Sequence, residues 1–390
     1  MTRKKLLMLI GSVCLALMLA LPLVASCAAP TPTPTPTPTE RVISWTAYDI
    51  GSSGYAQTAG VGSALMSIDI KLRVVPCGDD ISRLVPVRTG DVDFALVGLG
   101  SYFAEQALDQ FADRAWGPQP MRLIIQVPPL TATGAAIMVR GDSGIKVPAD
   151  LKGKRYAWLI ASPSCTMIVE AVLAYAGLTW DDVEIIEFPS YSAACRAVVD
   201  GSADFVQCST AVGAAYELEA SIHGVGWLTV DPDDKEGWER LRKVMPPIFS
   251  FKATAGAGIL EEKPIWMTGQ MYPILCCWDW QDEDLVYRIT KAIQDTYDLY
   301  KDAHPGLPGW KVEKGLAIPP QNPYHPGAIK YYKEIGLWTA ENDEWQKEGL
   351  EVQAKLKAAW EAAIEEADEK GISAKDFPDF WMEKRAEALK

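Results

Sequence analysis

The feature that most constrains the fold is an alternation of strand and helix patterns that starts over near residue 140. The first round contains strand patterns at 42–50, 70–76 and 92–98, separated by helical patterns at 58–67 and 80–90. A second round follows, with strand patterns near KRYAW, VEIIEFPS and ADFVQC and helical patterns between them. Alternating elements of this kind favour largely parallel sheets with crossover helices. Two rounds with matching order predict two α/β lobes.

The chain length agrees with two lobes, because the roughly 350 residues after the N-terminal tract exceed one ordinary core. We assign residues 41–135 to a first lobe, 136–247 to a second lobe and 248–340 to a return to the first. Residues 341–390 are expected to form helices, since apolar positions recur three and four apart among lysines and glutamates. This extension either packs on the flank of a lobe or binds a partner.

The N-terminus has the features of an exported protein. Basic residues 3–5 precede an apolar stretch at 6–24 and the segment VASC, which ends at Cys27. Residues 1–26 are therefore predicted to be a signal peptide, and Cys27 the lipidated first residue of the mature chain. An uncleaved membrane anchor and plain secretion are the alternatives. Each of these places the globular part outside the cytoplasm, in the periplasm or on the outer face of the membrane.

Residues 27–40 follow as a tether in which proline and threonine alternate. Such a tract favours extended polyproline II, which makes it a stiff spacer. The alternative is a disordered segment without a spacing role. With the lipidated Cys27, this tether predicts that the chain contacts the membrane through an N-terminal lipid anchor.

The charge and the cysteines exclude some function classes. The formal net charge of −14 argues against nucleic acid as a partner, because phosphate binding needs a basic surface. Beyond Cys14 and Cys27 the chain has Cys77, Cys165, Cys195, Cys208, Cys276 and Cys277. Their spacing fits no zinc site, so neither a metal nor another cofactor is predicted. Disulfides and free thiols are both open for these six residues.

The histidines are the first residues to consider as catalytic bases or metal ligands. His223, His304 and His325 are the three in the chain, and none has the spacing of a nucleophile with its base or of a metal site. The prediction is therefore that the protein is not an enzyme. A small-molecule enzyme on the same kind of fold is the alternative, since fold alone does not decide function.

Several segments carry a family resemblance when taken in order. They are GDVDFALVGLGSYFAEQA (90–107), DLKGKRYAW (150–158), DGSADFVQ (200–207), DLVYRITKAI (284–293) and NPYHPGAIKYYKEIGLW (322–338). Over Ile43–Trp338 the chain resembles the TAXI family of solute-binding proteins that serve TRAP transporters. The resemblance implies a two-lobed periplasmic binding protein type II fold with a hinge and, here, a C-terminal helical extension. It also implies a monomer that passes a small organic anion or amino acid to a TRAP permease driven by an ion gradient. A ligand-binding sensor and an ABC-type receptor are the alternatives.

Three loops depart from the family pattern where ligand is expected. The segment 51–58 lacks the aromatic pair that usually follows its glycine-rich turn. Cys77, Gly78 and Asp79 replace a Gly-Gly-Ser run, and 163–166 keeps the hydroxyls of a Gly-Ser-Gly-Thr element but loses both glycines. The ligand is therefore expected to differ from that of typical members.

The candidate ligand residues lie in loops of small, hydroxylated residues that lead into helices or follow strands. Free backbone N–H groups and the positive helix end suit a carboxylate. The predicted ligand-binding residues are Ser52, Ser53, Gly54, Tyr55, Gly78, Asp79, Gly100, Ser101, Ser164, Cys165, Thr166, Cys208, Ser209 and Tyr272. Helix capping is the alternative role for the serines, the threonine and Asp79. Ordinary packing is the alternative for Tyr272.

Overall fold

Two five-stranded sheets, each covered by helices, form the body of the molecule. The computed structural model describes residues 42–128, 134–160 and 162–390. The predicted signal peptide, Cys27 and the Pro/Thr tether lie outside the described residues. The two sheets and the helices at the C-terminus confirm the predicted α/β fold class with a helical extension.

The first sheet has the strand order β2-β1-β3-β12-β4. Its strands are β1 (Ile43–Tyr48), β2 (Leu72–Cys77), β3 (Phe94–Val97), β4 (Met121–Gln126) and β12 (Ile274–Trp278). β1 runs parallel to β2 and β3, whereas β12 runs antiparallel to β3 and β4. Every residue of β1, β3 and β12 is buried, as expected for strands with helices on both faces.

The second sheet repeats this arrangement in the order β7-β6-β8-β5-β9. Its strands are β5 (Ala135–Arg140), β6 (Arg155–Leu159), β7 (Glu184–Phe188), β8 (Phe205–Ser209) and β9 (Val225–Trp227). β6 is parallel to β7 and β8, and β5 is antiparallel to β8 and β9. Each sheet therefore has four strands that run in one direction and one antiparallel strand, which comes from a segment that crosses between the sheets.

Helices connect these strands and extend the C-terminus. They are α1 (Ser53–Met66), α2 (Asp80–Arg88), α3 (Gly100–Gln106), α4 (Pro163–Tyr175), α5 (Tyr191–Asp200), α6 (Gly213–Glu219), α7 (Lys235–Val244), α8 (Glu283–Asp295), α9 (Tyr297–Tyr300), α10 (Val312–Leu316), α11 (Pro326–Glu334), α12 (Ala340–Lys370) and α13 (Phe377–Ala388). We call the first sheet with its helices lobe I and the second sheet with its helices lobe II.

The chain passes between the lobes at two adjacent segments. The Tyr272 backbone N–H donates to the Val127 carbonyl over 2.8 Å, and the Val127 N–H donates to Pro273 over 3.0 Å. Before the second crossing, the antiparallel pair β10 (Phe249–Ala253) and β11 (Ile265–Gly269) packs into the core of lobe II. The chain therefore rejoins the first sheet at β12, later in the sequence than the predicted return at residue 248.

The C-terminal helices α12 and α13 pack on lobe I through a small apolar cluster. Leu356, Phe377 and Trp381 are buried in it beside Ala107. The Trp381 indole N–H donates to the Ala107 carbonyl over 2.8 Å. Within the described part of the chain, the helices are all too short or too polar to cross a membrane.

Candidate ligand-binding site between the lobes

A small cavity lies between the lobes, near the carboxyl ends of β1, β3 and β8. It has a volume of about 20 Å³, which is room for about one water molecule. Its lining residues come from both lobes and from the second crossing segment. They are Tyr48, Ser164, Cys165, Ile168, Tyr191, Gln207, Ser209, Gln270 and Tyr272.

Three tyrosines form the aromatic part of this wall. The Tyr48 ring contacts Tyr191 and Tyr272 edge-on, with centroids 5.5 and 5.7 Å apart. The Tyr48 hydroxyl accepts from the Gly98 N–H over 3.0 Å, and the Tyr191 hydroxyl accepts from the Ser209 N–H over 2.9 Å. Burial raises the pKa of all three phenols. They are therefore neutral groups, and each keeps a proton to donate.

A buried ion pair lies next to this wall. Asp80 and Arg83 face each other three positions apart on α2, and both side chains are fully buried. The Asp80 carboxylate also accepts from the Ser164 backbone N–H over 3.0 Å and from the Ser162 hydroxyl over 3.2 Å. A carboxylate of lobe I thus occupies the N-terminal end of α4 in lobe II, where the helix favours negative charge.

Arg83 lies one layer behind the cavity wall. Its guanidinium carbon is 3.5 Å from the centroid of the Tyr48 ring, a cation–π arrangement. Its Nε and Nη1 atoms have no hydrogen-bond partner in the described part of the chain. The sequence interpretation did not single out Arg83. The signal that could have identified it is its i, i+3 spacing from Asp80, which places opposite charges on one helix face.

Two polar atoms of the cavity wall also lack a partner. They are the Ser164 hydroxyl and the Gln270 Oε1 atom, both buried and both without a hydrogen bond to any described residue. Leaving such an atom unsatisfied costs about 1–3 kcal/mol. The cavity therefore presents a hydroxyl from lobe II and a carbonyl oxygen from the crossing segment, which a small polar solute would satisfy.

Further backbone contacts hold the lobes together. The Asp49 carboxylate accepts from the Ser192 N–H in the first turn of α5 over 3.0 Å. The Gly213 N–H donates to the Gly51 carbonyl over 3.2 Å, and the Tyr191 N–H donates to Gly78 over 3.2 Å. Because these bonds join residues of lobe I to residues of lobe II, the lobes are closed on each other.

The structure places the predicted ligand residues in two groups. Ser164, Cys165, Ser209 and Tyr272 line the cavity. Gly54 and Gly100 adjoin it, since a Cβ at Gly54 would lie 2.7 Å from the Tyr272 hydroxyl and one at Gly100 would lie 3.4 Å from Asp80 Oδ1.

The other predicted residues have local contacts instead. Ser52 and Asp79 are helix N-caps, which accept from the N–H groups of Tyr55 and Ser82, and Ser53 accepts from the Gln57 amide. Gly78 abuts Ser190, whereas Ser101 and Cys208 are fully buried and outside the cavity lining. Tyr55 and Thr166 are also outside the cavity lining. At the start of α2, it is the neighbour of Asp79, Asp80, whose carboxylate contacts lobe II.

The cysteines and two of the histidines take part in packing, helix capping or a surface contact. The six cysteines named above are free thiols, and five of them are buried. Within residues 42–128, 134–160 and 162–390, no three His, Cys, Asp or Glu side chains converge as a metal site would require. His325 caps α11 by accepting from the Gly327 N–H, and His223 lies 2.6 Å from Asp142 near the surface.

His304 is the histidine that comes near a serine of the cleft. Its Nε2 atom lies 3.4 Å from the Ser53 hydroxyl oxygen. Its Nδ1 atom accepts from the Gly306 N–H over 3.0 Å, so the ring proton resides on Nε2. Burial lowers the pKa of His304, which keeps the ring neutral. Nε2 therefore donates rather than accepts, and it does not serve as a base for Ser53.

Comparison with known proteins identifies a family. Residues 72–336 match the model of the NMT1-like family, which is more than half of the chain.

Solved structures give weaker similarities. PhnD1 from Prochlorococcus marinus, in complex with methylphosphonate, is 13% identical with a TM-score of 0.40, over 66% of this chain and 84% of that one. The alkanesulfonate-binding protein SsuA from Xanthomonas axonopodis, bound to MOPS, is 17% identical with a TM-score of 0.40, over 75% of this chain and 89% of that one. The aliphatic sulphonate-binding protein SsuA from Escherichia coli is 16% identical with a TM-score of 0.39, over 81% of this chain and 88% of that one.

Proposed function

The chain belongs to the NMT1-like family, and on this premise we propose that it is an extracytoplasmic solute-binding receptor. It captures a small carboxylate, with amino acids included, between its two lobes. Cys27 would carry the lipid that holds it at the membrane. The TAXI resemblance supports delivery to a TRAP-type permease driven by an ion gradient, with a sensor or an ABC transporter as the alternative receiver.

One observation carries this proposal. Buried polar atoms from both sides of the cleft, Ser164 Oγ and Gln270 Oε1, face one interlobe cavity without a partner among the described residues. The Arg83 guanidinium lies over the Tyr48 ring of the cavity wall, and two of its nitrogen atoms have no partner among the described residues. A solute with a carboxylate and a hydrogen-bond donor complements these groups, because charged hydrogen bonds to arginine are among the stronger ones available.

The charge of the site favours one kind of carboxylate. Asp80 and Arg83 carry opposite charges and are both fully buried, so the pair adds no net charge to the cleft. A zwitterionic amino acid would match such a site, with its carboxylate towards Arg83 and its ammonium towards Asp80. A dicarboxylate would bring two negative charges beside the Asp80 carboxylate, which is unfavourable in a buried site.

Capture requires the lobes to separate. The cavity has room for about one water molecule, so a solute enters only when the interlobe bonds of Asp49 and Asp80 open. The two adjacent crossing points, at Val127 and at 270–273, are the natural hinge. The solute then replaces some of these bonds when the lobes close.

A solute receptor is favoured over an enzyme by the state of the Ser53 and His304 pair. His304 holds its proton on Nε2 and is neutral, so His304 does not act as a base for this serine. A receptor would return its ligand unchanged, and that difference is measurable.

The test is a ligand screen on the purified protein after partial unfolding and refolding to strip bound solute. Amino acids, keto acids, dicarboxylates and aromatic acids are tested by thermal shift, since a ligand of the native state raises the melting temperature. Hits are titrated by calorimetry, and the recovered compound is analysed by NMR. We expect an amino acid to bind and to be recovered unchanged.

Matched variants of α2 locate the binding. Arg83→Lys keeps the charge but loses the planar fork of donors, so we expect affinity to fall by roughly tenfold or more. Arg88→Lys, on the exposed side of the same helix, is the control and should change affinity less than twofold. Chemical conversion of the hit, or equal affinities in both variants, would contradict the proposal.

A further inference from the structure

A second and larger cavity lies outside the cleft, between lobe I and helix α12. Its volume is about 430 Å³, within the range of roughly 300–1,000 Å³ that is usual for small-molecule sites. The segment 116–122 forms one side, and residues 350–361 of α12 form the other. We call it the outer cavity.

Glu105 is the most deeply buried charged group of this cavity. Its exposed fraction is 3%. Its Oε2 atom accepts from the amides of Asn322 over 2.8 Å and Gln353 over 2.6 Å, and Oε1 accepts from the Gln106 amide over 3.2 Å. All three donors are neutral, and burial raises the pKa of Glu105 to about 7. Oε1 has capacity for a further donor, because a carboxylate oxygen accepts two.

Arg122 balances only part of the negative charge. Its Nη1 atom donates to the Gln353 side chain over 2.5 Å and to the Met121 carbonyl over 2.8 Å. Its Nη2 atom lies 3.9 Å from Asp279, so Asp279 is its closest acid. At the mouth, Lys357 and Glu361 offset each other. One negative charge, that of Glu105, therefore has no basic side chain of its own in the lining.

The remaining walls are largely apolar. Trp116 and Trp360 line the cavity together with Pro118 and Pro120. Gly117 lies against the Trp360 indole, where a Cβ would be 2.6 Å from the ring. Aromatic rings beside a negative group are the usual surroundings for an organic cation.

We propose that the outer cavity is a second binding site, for a small organic ammonium compound. The ammonium group donates to the Glu105 carboxylate, and the apolar body of the compound lies against Trp116 and Trp360. This site is independent of the interlobe cavity and of the solute that the cleft captures.

The experiment compares three probes of similar shape by calorimetry on the purified protein: 2-phenylethylammonium, 2-phenylethanol and 3-phenylpropanoate. We expect saturable binding of the ammonium, at least roughly tenfold tighter than that of the alcohol, with no binding of the anion. Glu105→Gln should remove this preference. Lys355→Gln, at an exposed position of α12 outside the lining, and Arg83→Lys, in the cleft, should leave the affinity within twofold.

Other results would overturn the proposal. Similar affinities for all three probes, or no binding at millimolar concentration, would exclude an ammonium site. Loss of binding in Arg83→Lys would place the probe in the cleft. Circular dichroism checks that Glu105→Gln is folded. A second test needs no variant: the affinity of the wild type for the ammonium probe is measured at several pH values. Affinity should rise between pH 5.5 and 8, as Glu105 ionises, and an affinity that does not change would also count against it.

Discussion

Two buried carboxylates of lobe I, Asp80 on α2 and Glu105 on α3, differ in how their charge is balanced. Asp80 is fully buried, and it is paired with Arg83 and with the N-terminal end of α4 across the cleft. Glu105 is only 3% exposed, yet its hydrogen bonds come from neutral amides. The first carboxylate therefore ties the two lobes together. The second leaves a charge that a bound cation is able to balance.

The largest expected effect comes from breaking the Asp80 and Arg83 pair. Arg83→Leu leaves the Asp80 carboxylate buried without its cation, so the free energy of unfolding should fall by about 3–5 kcal/mol. Arg196→Leu is the control, because Arg196 pairs with Glu217 at the exposed surface and should change stability by less than about 1 kcal/mol. Urea denaturation measures both variants. Equal losses in the two would show that the buried pair has no special role.

The next effect is the pH dependence of stability caused by Glu105. Its pKa is about 7 in the folded state and near 4.5 in the unfolded state, so the folded protein binds more protons between these values. The free energy of unfolding should therefore fall as pH rises from about 4.5 to 7, by about 3 kcal/mol in all. Glu105→Gln should lack this fall, whereas Glu361→Gln at the cavity mouth should retain it. Denaturation at pH 5 and pH 8 checks this, and an unchanged pH dependence in Glu105→Gln would refute it.

A smaller effect tests how closely α12 is seated on the outer cavity. Gly117→Ala combines a positive φ of 67° with a Cβ that would lie 2.6 Å from Trp360. It should therefore lower the free energy of unfolding by about 1–3 kcal/mol. Gly177→Ala is the matched control, since its φ is 71° and a Cβ there meets no atom within 4 Å. Thermal unfolding should show the larger loss for Gly117→Ala. Similar losses would mean that only the backbone strain matters.

The smallest effect concerns lobe opening, which is measured by the rate at which the Cys165 thiol in the cleft wall is alkylated. Burial raises the pKa of this thiol to about 12, so it should react with iodoacetamide only when the lobes separate. The half-buried Cys77 should react first. Mass spectrometry of timed samples gives both rates, and a bound solute should slow only Cys165. A Cys165 rate equal to that of Cys77 would argue against a closed cleft.

Much of the architecture was predictable because strand and helix periods are local properties of the chain. The strands from β1 to β3 and from β6 to β8 coincide with alternation patterns, and α12 coincides with the charged amphipathic stretch. The return point near residue 248 was harder to predict. The segment from β10 to β11 is apolar in a way that suits either lobe, and only its packing against lobe II decided its place.

The candidate site was predictable in part for the same reason. Ser164, Cys165 and Ser209 follow strand patterns directly, and the structure places them in the cavity wall. Tyr48, Gln207 and Gln270 also line it, yet nothing local distinguishes them from ordinary strand residues. Their position depends on which strand ends meet across the cleft.

The sequence alone predicts the alternation of strands and helices and its two rounds, and it allows helix caps such as Ser52 and Asp79. These features depend on neighbours along the chain. Packing between distant segments determines that Asp80 rather than Asp79 contacts lobe II, and that Arg83 lies behind Tyr48. The same packing buries Glu105 under α12, where it accepts from Gln353, a residue more than 200 positions later in the chain. Burial and partner choice depend on surfaces that meet only after folding, and these set the charge and the chemistry of both cavities.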